Sequence, residues 1–175
     1  MKVSQDVWLE RMNNLIERRK VGAITSQFKH VDDYGQHISK VHMGDMVLDV
    51  GCGSMVIKKH LPAHVSYTGI DPFPVNEQVI KMDIEECNFP DNLFQTVYAF
   101  AMLDNVYDLA KAIEQMKRVC SKNILILTGV NIPVDKYHTI EITENGLTEL
   151  MKPFLVGYKE YLHPKIMLIE FIRPL

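Results

Sequence analysis

The stretch Val47 to Ser54, V-L-D-V-G-C-G-S, constrains the fold more than any other part of this chain of 175 residues. Val47, Leu48 and Val50 form a short apolar run of the kind a buried parallel strand needs. Gly51 and Gly53 then break the strand, because glycine turns tightly without a Cβ in the way. Ser54 is placed to cap a helix over Met55 to Leu61, which Pro62 stops. A strand, a glycine turn and a helix start together let a ligand approach bare backbone N–H groups. Asp71 follows 18 residues after Gly53, at the end of a second apolar segment, Val65 to Ile70. An acid about 20 positions past the glycine turn is what a nucleoside-binding α/β unit uses to hold ribose hydroxyls.

The rest of the chain reads as further α/β units. Ser4 caps a helix to about Lys20, with Trp8, Met12 and Leu15 at helical spacing. Arg18, Arg19 and Lys20 at its end complement the helix dipole. A second helix starts after Thr25 or Ser26, with Phe28, Val31, Ile38 and Val41 inward and Tyr34 and Gly35 interrupting the pattern. Met46 to Val50 is the first strand. Eleven residues, Pro72 to Met82, separate Asp71 from Asp83. A helix plus a third strand needs roughly twenty, so a loop and a short edge strand at Val79 to Met82 are expected, with the helix after strand two shortened or missing. Phe94 to Ala101 is the fourth strand. Asp104 or Asn105 caps a helix running to about Val119, and Ile124 to Leu127 is the fifth strand, after a turn at Ser121-Lys122-Asn123. Tyr137 to Ile142 alternates and suits a short extended piece. Thr143 to Lys152 is a helix stopped by Pro153. Phe154 to Tyr161 and Lys165 to Ile172 are strands joined by so short a turn that they must be antiparallel.

The order of motifs resembles the class I S-adenosylmethionine-dependent methyltransferases, in their small, minimal-domain form. D-V-G-C-G-S at 49–54, G-I-D at 69–71 and K-M-D-I-E-E at 81–86 look like that family's cofactor motifs. F-P-D-N-L-F at 89–94, A-M-L-D-N-V at 101–106 and M-K-R-V-C at 116–120 continue the resemblance, which covers Gly44 to about Val130. The resemblance implies a single α/β domain over 1–175: an N-terminal helical cover (1–42), a cofactor-binding core (43–130) and a C-terminal part with an edge hairpin (131–175). The implied fold is Rossmann-like and doubly wound, a mostly parallel seven-stranded sheet with an antiparallel C-terminal hairpin. The implied cofactor is S-adenosyl-L-methionine. Gly51, Cys52 and Gly53 would lie against its methionine part, with Asp49 orienting the turn or accepting from the amino group. Asp71 and the adjoining Pro72 would face the ribose. Asp83 and Ile84 would face the adenine, and Ala101 and Met102 the sulfonium. Met55 stands where the family's glycine motif has a third small residue. The dinucleotide fingerprint G-x-G-x-x-G is absent, because its third glycine position is Val56.

Three residues are candidates for a general base: Asp104, His138 and Tyr34. His138 has the ordinary pKa best suited to the task, but a surface histidine has the same sequence signature. Tyr34 can equally pack with its hydroxyl at the surface. His60 and His64 stand four apart, but Pro62 between them breaks the helix a metal pair would need, and no metal site is expected. A net charge of −3 gives no general attraction to phosphate backbones or anionic membranes. Cys52, Cys87 and Cys120 match no zinc or redox motif and read as buried thiols of a cytoplasmic protein. No apolar run reaches the ~18 residues of a membrane span, and the N-terminus lacks a signal-peptide stretch. After strand four the chain has neither the N-P-P-Y segment nor the Pro-Cys nucleophile of base methyltransferases. A small-molecule acceptor is expected, a protein substrate or partner comes second, and neither nucleic acid nor membrane is. The competing reading is a binding or partner subunit on the same fold with weak or no catalysis.

Overall fold

The strand-forming runs assemble into one seven-stranded sheet, in the order β3-β2-β1-β4-β5-β7-β6. The computed structural model describes residues 3–20, 38, 44–75 and 77–175, without the side chains of residues 19 and 20. The strands are β1 (Met46–Val50), β2 (Ser66–Asp71), β3 (Ile80–Lys81), β4 (Phe94–Phe100), β5 (Cys120–Gly129), β6 (Leu155–His163) and β7 (Ile166–Ile172). β1 to β5 are parallel, and β7 pairs antiparallel with both β5 and β6. This is the expected Rossmann-like, doubly wound sheet with its C-terminal hairpin. Strand order reverses between β1 and β4, which opens a crevice at the carboxyl ends of those strands.

Alternation along the strands sends side chains to two layers. Leu48, Val50, Val97, Ile124 and Ile126 face α2 (Leu109–Val119) and α3 (Glu144–Met151), burying Ile113, Met116, Leu147 and Met151. Each such side chain contributes about 1.5–3 kcal/mol on burial. Val47, Tyr98, Phe100 and Leu125 face the other way and pack with Ile38 and Ile57. α1 (Gln5–Lys20) lies across the carboxyl end of the sheet. There the Trp8 Nε1–H donates to the Asn105 carbonyl (2.8 Å) and Arg11 to the His138 carbonyl (3.1 Å). Ser4 is at its start, accepting weakly from the Val7 N–H at 3.4 Å.

Between Asp71 and Asp83 the described residues contain no helix, only the two-residue β3 paired at Ile70↔Ile80 and Asp71↔Lys81. Three expectations need correction. Met55 to Leu61 is not an α-helix capped by Ser54; one 3-10 turn, Ile57–His60, stands there, with no side-chain cap. Met55 is left-handed (φ 57), and its N–H closes back on the Cys52 carbonyl at 2.7 Å, so the chain is still turning where a helix would begin. The helix after β4 starts at Leu109, capped by Asp108, whose carboxylate accepts from the Lys111 N–H (3.1 Å); Asp104 and Asn105 belong instead to a 3-10 turn, Leu103–Asn105. β5 begins at Cys120, so Ser121-Lys122-Asn123 lies inside the strand and is not a turn before it. Buried Asn123 accepts from the Thr96 hydroxyl (2.8 Å) and donates to Glu170 (2.6 Å), so a polar residue is tolerated there. The segment from Tyr137 to Ile142 makes one bridge, at Ile140. The second helix expected after Thr25, and Tyr34 on it, lie outside the described residues. No helix among the described residues is long and apolar enough to cross a membrane.

Candidate functional site

Two groups of residues meet at the crevice. The first is the turn after β1. Gly51 (φ 65) and Gly53 (φ 47) are both left-handed, a conformation a side chain resists. At Gly51 the reason is also contact: a Cβ there would stand 2.7 Å from the Met102 Cβ, so the turns after β1 and β4 touch only because Gly51 is bare. Gly53 is buried, yet no described residue stands within 4 Å of where its Cβ would be. The backbone there faces open space among the described residues.

Carboxylates surround this turn. Asp71, 2% exposed at the end of β2, accepts from the N–H groups of Gly53 (3.2 Å) and Phe73 (2.8 Å). It ties the glycine turn to β2 and orders its own following loop, where Pro72 sits. Asp49, also 2% exposed, accepts from the Tyr67 hydroxyl at 2.6 Å. Burial pushes its carboxyl up to about 7, against the lowering effect of the Tyr67 bond and with a further push from Asp71. Burial, with Asp49 and Asp71 nearby, raises the Cys52 thiol to about 12, so Cys52 is an inert part of the turn. A Cβ on Gly69 would meet the Cys52 sulfur at 2.8 Å and the Tyr67 hydroxyl at 3.1 Å. Glycine in β2 therefore makes room for both. Asp83 caps the 3-10 turn Ile84–Glu86 by accepting from the Glu85 N–H (2.9 Å), and burial raises its carboxyl. Glu85 in turn accepts from the Tyr107 and Asp108 N–H groups (2.7 and 2.9 Å), linking this segment to the start of α2.

The second group follows β4 and β5. Ala101 is left-handed (φ 51) and exposed, and its N–H donates to the Leu127 carbonyl (2.8 Å). The chain after β5 returns onto the Asp104 carbonyl, which accepts from the Thr139 N–H, the Ile140 N–H and the Thr139 hydroxyl (2.8, 3.2 and 2.9 Å). That closure brings two candidate bases together. His138 Nε2 lies 3.6 Å from Asp104 Oδ2, and His138 Nδ1 is 2.9 Å from Asp135 Oδ1. The side chains of His138 and Asp104 are 22% and 14% exposed. Burial raises the Asp104 carboxyl, opposed by His138. The slight desolvation of Asp135 is outweighed by the Tyr137 and His138 N–H donors and the His138 ring, which lower its carboxyl. An ionised Asp135 accepts only, so Nδ1 carries a proton, and Nε2 faces Asp104.

The structure therefore gathers Asp49, Gly51, Cys52, Gly53, Asp71, Pro72, Ala101 and Met102 at the switch point. Asp83 and Ile84 stand beyond β3, and Asp104 and His138 meet after β4 and β5. Tyr34 is outside the described residues. Sequence reasoning missed Asp135 and Tyr67. Only Asp135 had a visible signal, an Asp three residues before a candidate histidine. His60 and His64 form no pair; His64 lies 3.4 Å from Asp45. Among the described residues no group of three or more His, Cys, Asp or Glu is placed to hold a metal.

The seven-stranded sheet with its C-terminal hairpin is a methyltransferase-like fold. Residues 48–127 match the model of the methyltransferase domain family. Over those residues the chain is similar to the class I S-adenosylmethionine-dependent methyltransferases. A Burkholderia thailandensis 1,6-didemethyltoxoflavin-N1-methyltransferase, solved with 1,6-didemethyltoxoflavin and S-adenosylhomocysteine bound, is similar over 98% of this chain and 91% of its own, at TM-score 0.76 and 12% identity. A SAM-dependent methyltransferase from Aquifex aeolicus is similar over 84% of this chain and 97% of its own, at TM-score 0.63 and 17% identity. The [4+2]-cyclase SpnF is similar over 83% of this chain and 80% of its own, at TM-score 0.68 and 15% identity. No curated protein matches the sequence.

Proposed function

We propose that the protein binds S-adenosyl-L-methionine at the glycine turn and transfers its methyl group to a small molecule. The observation that carries this reading is the bare, covered backbone at Gly53, facing open space beside Asp71. The residues fit the cofactor. Gly51 and Gly53 would take its methionine part, and Asp71 the ribose, since each carboxylate oxygen accepts more than one bond. Asp83 and Ile84 would flank the adenine. When bound, the cofactor supplies a methyl group on a sulfonium, a good leaving group. The chain's own contribution is then mainly orientation, worth on the order of 7–11 kcal/mol when reacting atoms are well aligned. Where the acceptor must lose a proton, Nε2 of His138 receives it. Asp135 holds the opposite nitrogen, and Asp104 balances the positive charge that forms.

The neighbours named methyltransferases support this reading. A second reading, a partner or binding subunit without catalysis, is favoured by two observations. Asp71 already engages two backbone N–H groups, and Met55 replaces the helix start with a 3-10 turn. The neighbour named a [4+2]-cyclase supports the point that this scaffold does not fix the reaction. A melt with and without S-adenosylhomocysteine separates the two. Ligand at 100 times its dissociation constant adds about 2.7 kcal/mol, or roughly 5–10 °C for a domain of this size. That shift, lost in Asp71→Ala, is the result expected; its absence at millimolar ligand selects the second reading.

A further inference from the structure

Between α1 and the loop after β5 lies a cleft of about 340 Å3 that the cofactor assignment leaves unused. Its charge is one-sided. Among the described residues, Arg11, Arg18 and Lys136 line it against a single acid, Glu17. Two of these cations share one aromatic ring: the Arg18 guanidinium carbon is 4.5 Å and the Lys136 ammonium 4.7 Å from the centre of Tyr137. Ring contact holds both in place and brings like charges together. Arg11 donates one N–H to the His138 carbonyl, which leaves most of the five donors of a guanidinium for other partners.

An orphan acceptor belongs to one of the residues at the cleft. Asn105 lines it, and its Oδ1 is buried with no hydrogen-bond partner. The amide cannot simply be turned over, because its Nδ2 donates to Asp104 at 3.0 Å and a carboxylate needs that donor. A buried acceptor without a donor costs free energy that an incoming N–H or O–H recovers. Met12 and Leu15 give the cleft an apolar wall. Asn105 and Tyr137, the residues next to Asp104 and His138 in sequence, both belong to it, so the cleft adjoins the proposed base.

We propose that this cleft binds a small carboxylic acid with an apolar body and an O–H or N–H group. The carboxylate meets Arg18 and Lys136, and the donor meets Asn105. This deepens the methyl-transfer reading by naming the class of acceptor, and it rests on that reading only for the fate of the bound molecule. Trp8 is the only tryptophan in the chain, and its indole N–H is bonded to the Asn105 carbonyl. Its single indole resonance therefore reports on the cleft. The test titrates 4-hydroxybenzoate, 4-hydroxyphenylacetate and 4-aminobenzoate, each beside its neutral amide, and follows that resonance.

Expected is a saturable shift in which at least one acid binds about tenfold or more tightly than its amide, the scale of a charge-assisted bond over a neutral one. Arg18→Gln and Lys136→Gln should each shrink that preference while their melting temperatures stay near the parent's. Equal affinity for acids and amides, a preference that survives both substitutions, or no saturable shift with any acid overturns the proposal. S-adenosylhomocysteine is titrated separately. If it binds but no acid is preferred, the cleft proposal falls and methyl transfer stands. If an acid is preferred but S-adenosylhomocysteine does not bind, the cleft stands and methyl transfer falls.

Discussion

The chain leaves the carboxyl end of the sheet twice near the switch point, after β1 and after β4. Both exits begin with a left-handed residue, Gly51 and Ala101, and both run into a 3-10 turn. There the likeness ends. The exit after β1 is shaped by missing side chains: Gly51 lets Met102 approach, and Gly53 faces open space. The exit after β4 is shaped by side chains that are present. Asp104 and Asn105 bond each other, and Asp104 gathers the returning chain and His138. The first exit can hold a molecule against backbone, which suits a constant ligand. The second offers charge and hydrogen bonds, which suit a discriminating one.

Five measurements test this contrast. His138→Gln should cut turnover of any proton-bearing acceptor by about 10²–10⁴-fold and leave S-adenosylhomocysteine affinity unchanged. Equal losses in both would mean that the two exits are not separate. Asp71→Asn should do the opposite, weakening S-adenosylhomocysteine by roughly 100-fold in calorimetry, the worth of one or two bonds to a charged acceptor. Gly51→Ala should cost about 1–3 kcal/mol in denaturant unfolding, because its Cβ meets Met102 and its φ is positive. Asp49 gives stability a pH slope of up to about 1.4 kcal/mol per unit. Its folded carboxyl titrates at about 7, above the ordinary range near 4. Between those values the native state holds a proton the unfolded chain has lost, so stability falls as pH rises and levels off above 7. Asp49→Asn should flatten melting temperature against pH across that window. Met55→Gly should be neutral or stabilising by up to about 1 kcal/mol, relieving a left-handed side chain; a clear loss would mean that the methionine packs for a purpose.

The parts of the fold written in local pattern were legible. β1 came out at its expected bounds, and simple counting from Asp71 to Asp83 revealed the missing helix. The parts decided by tertiary partners were not. Nothing local in S-M-V-I-K-K-H says that Met55 turns left-handed, so a helix was expected. Asn123 reads as a turn residue until Thr96 and Glu170, distant in sequence, satisfy it inside a strand. At the site, spacing gave the glycines and Asp71. The bond from Asp135 to His138, and the closure that carries His138 to Asp104, depend on how the loop after β5 folds back.

The antiparallel return of β7 has a practical side. Its last residue, Ile172, pairs with Asn123 near the start of β5, while its first, Ile166, pairs with Gly129 at the working end. The seven residues between those ends span roughly 20 Å. Arg173 to Leu175 therefore lie away from the crevice. A label, bead or fusion joined there points the crevice outward, whereas one joined ahead of α1 crowds the helix that lies over it.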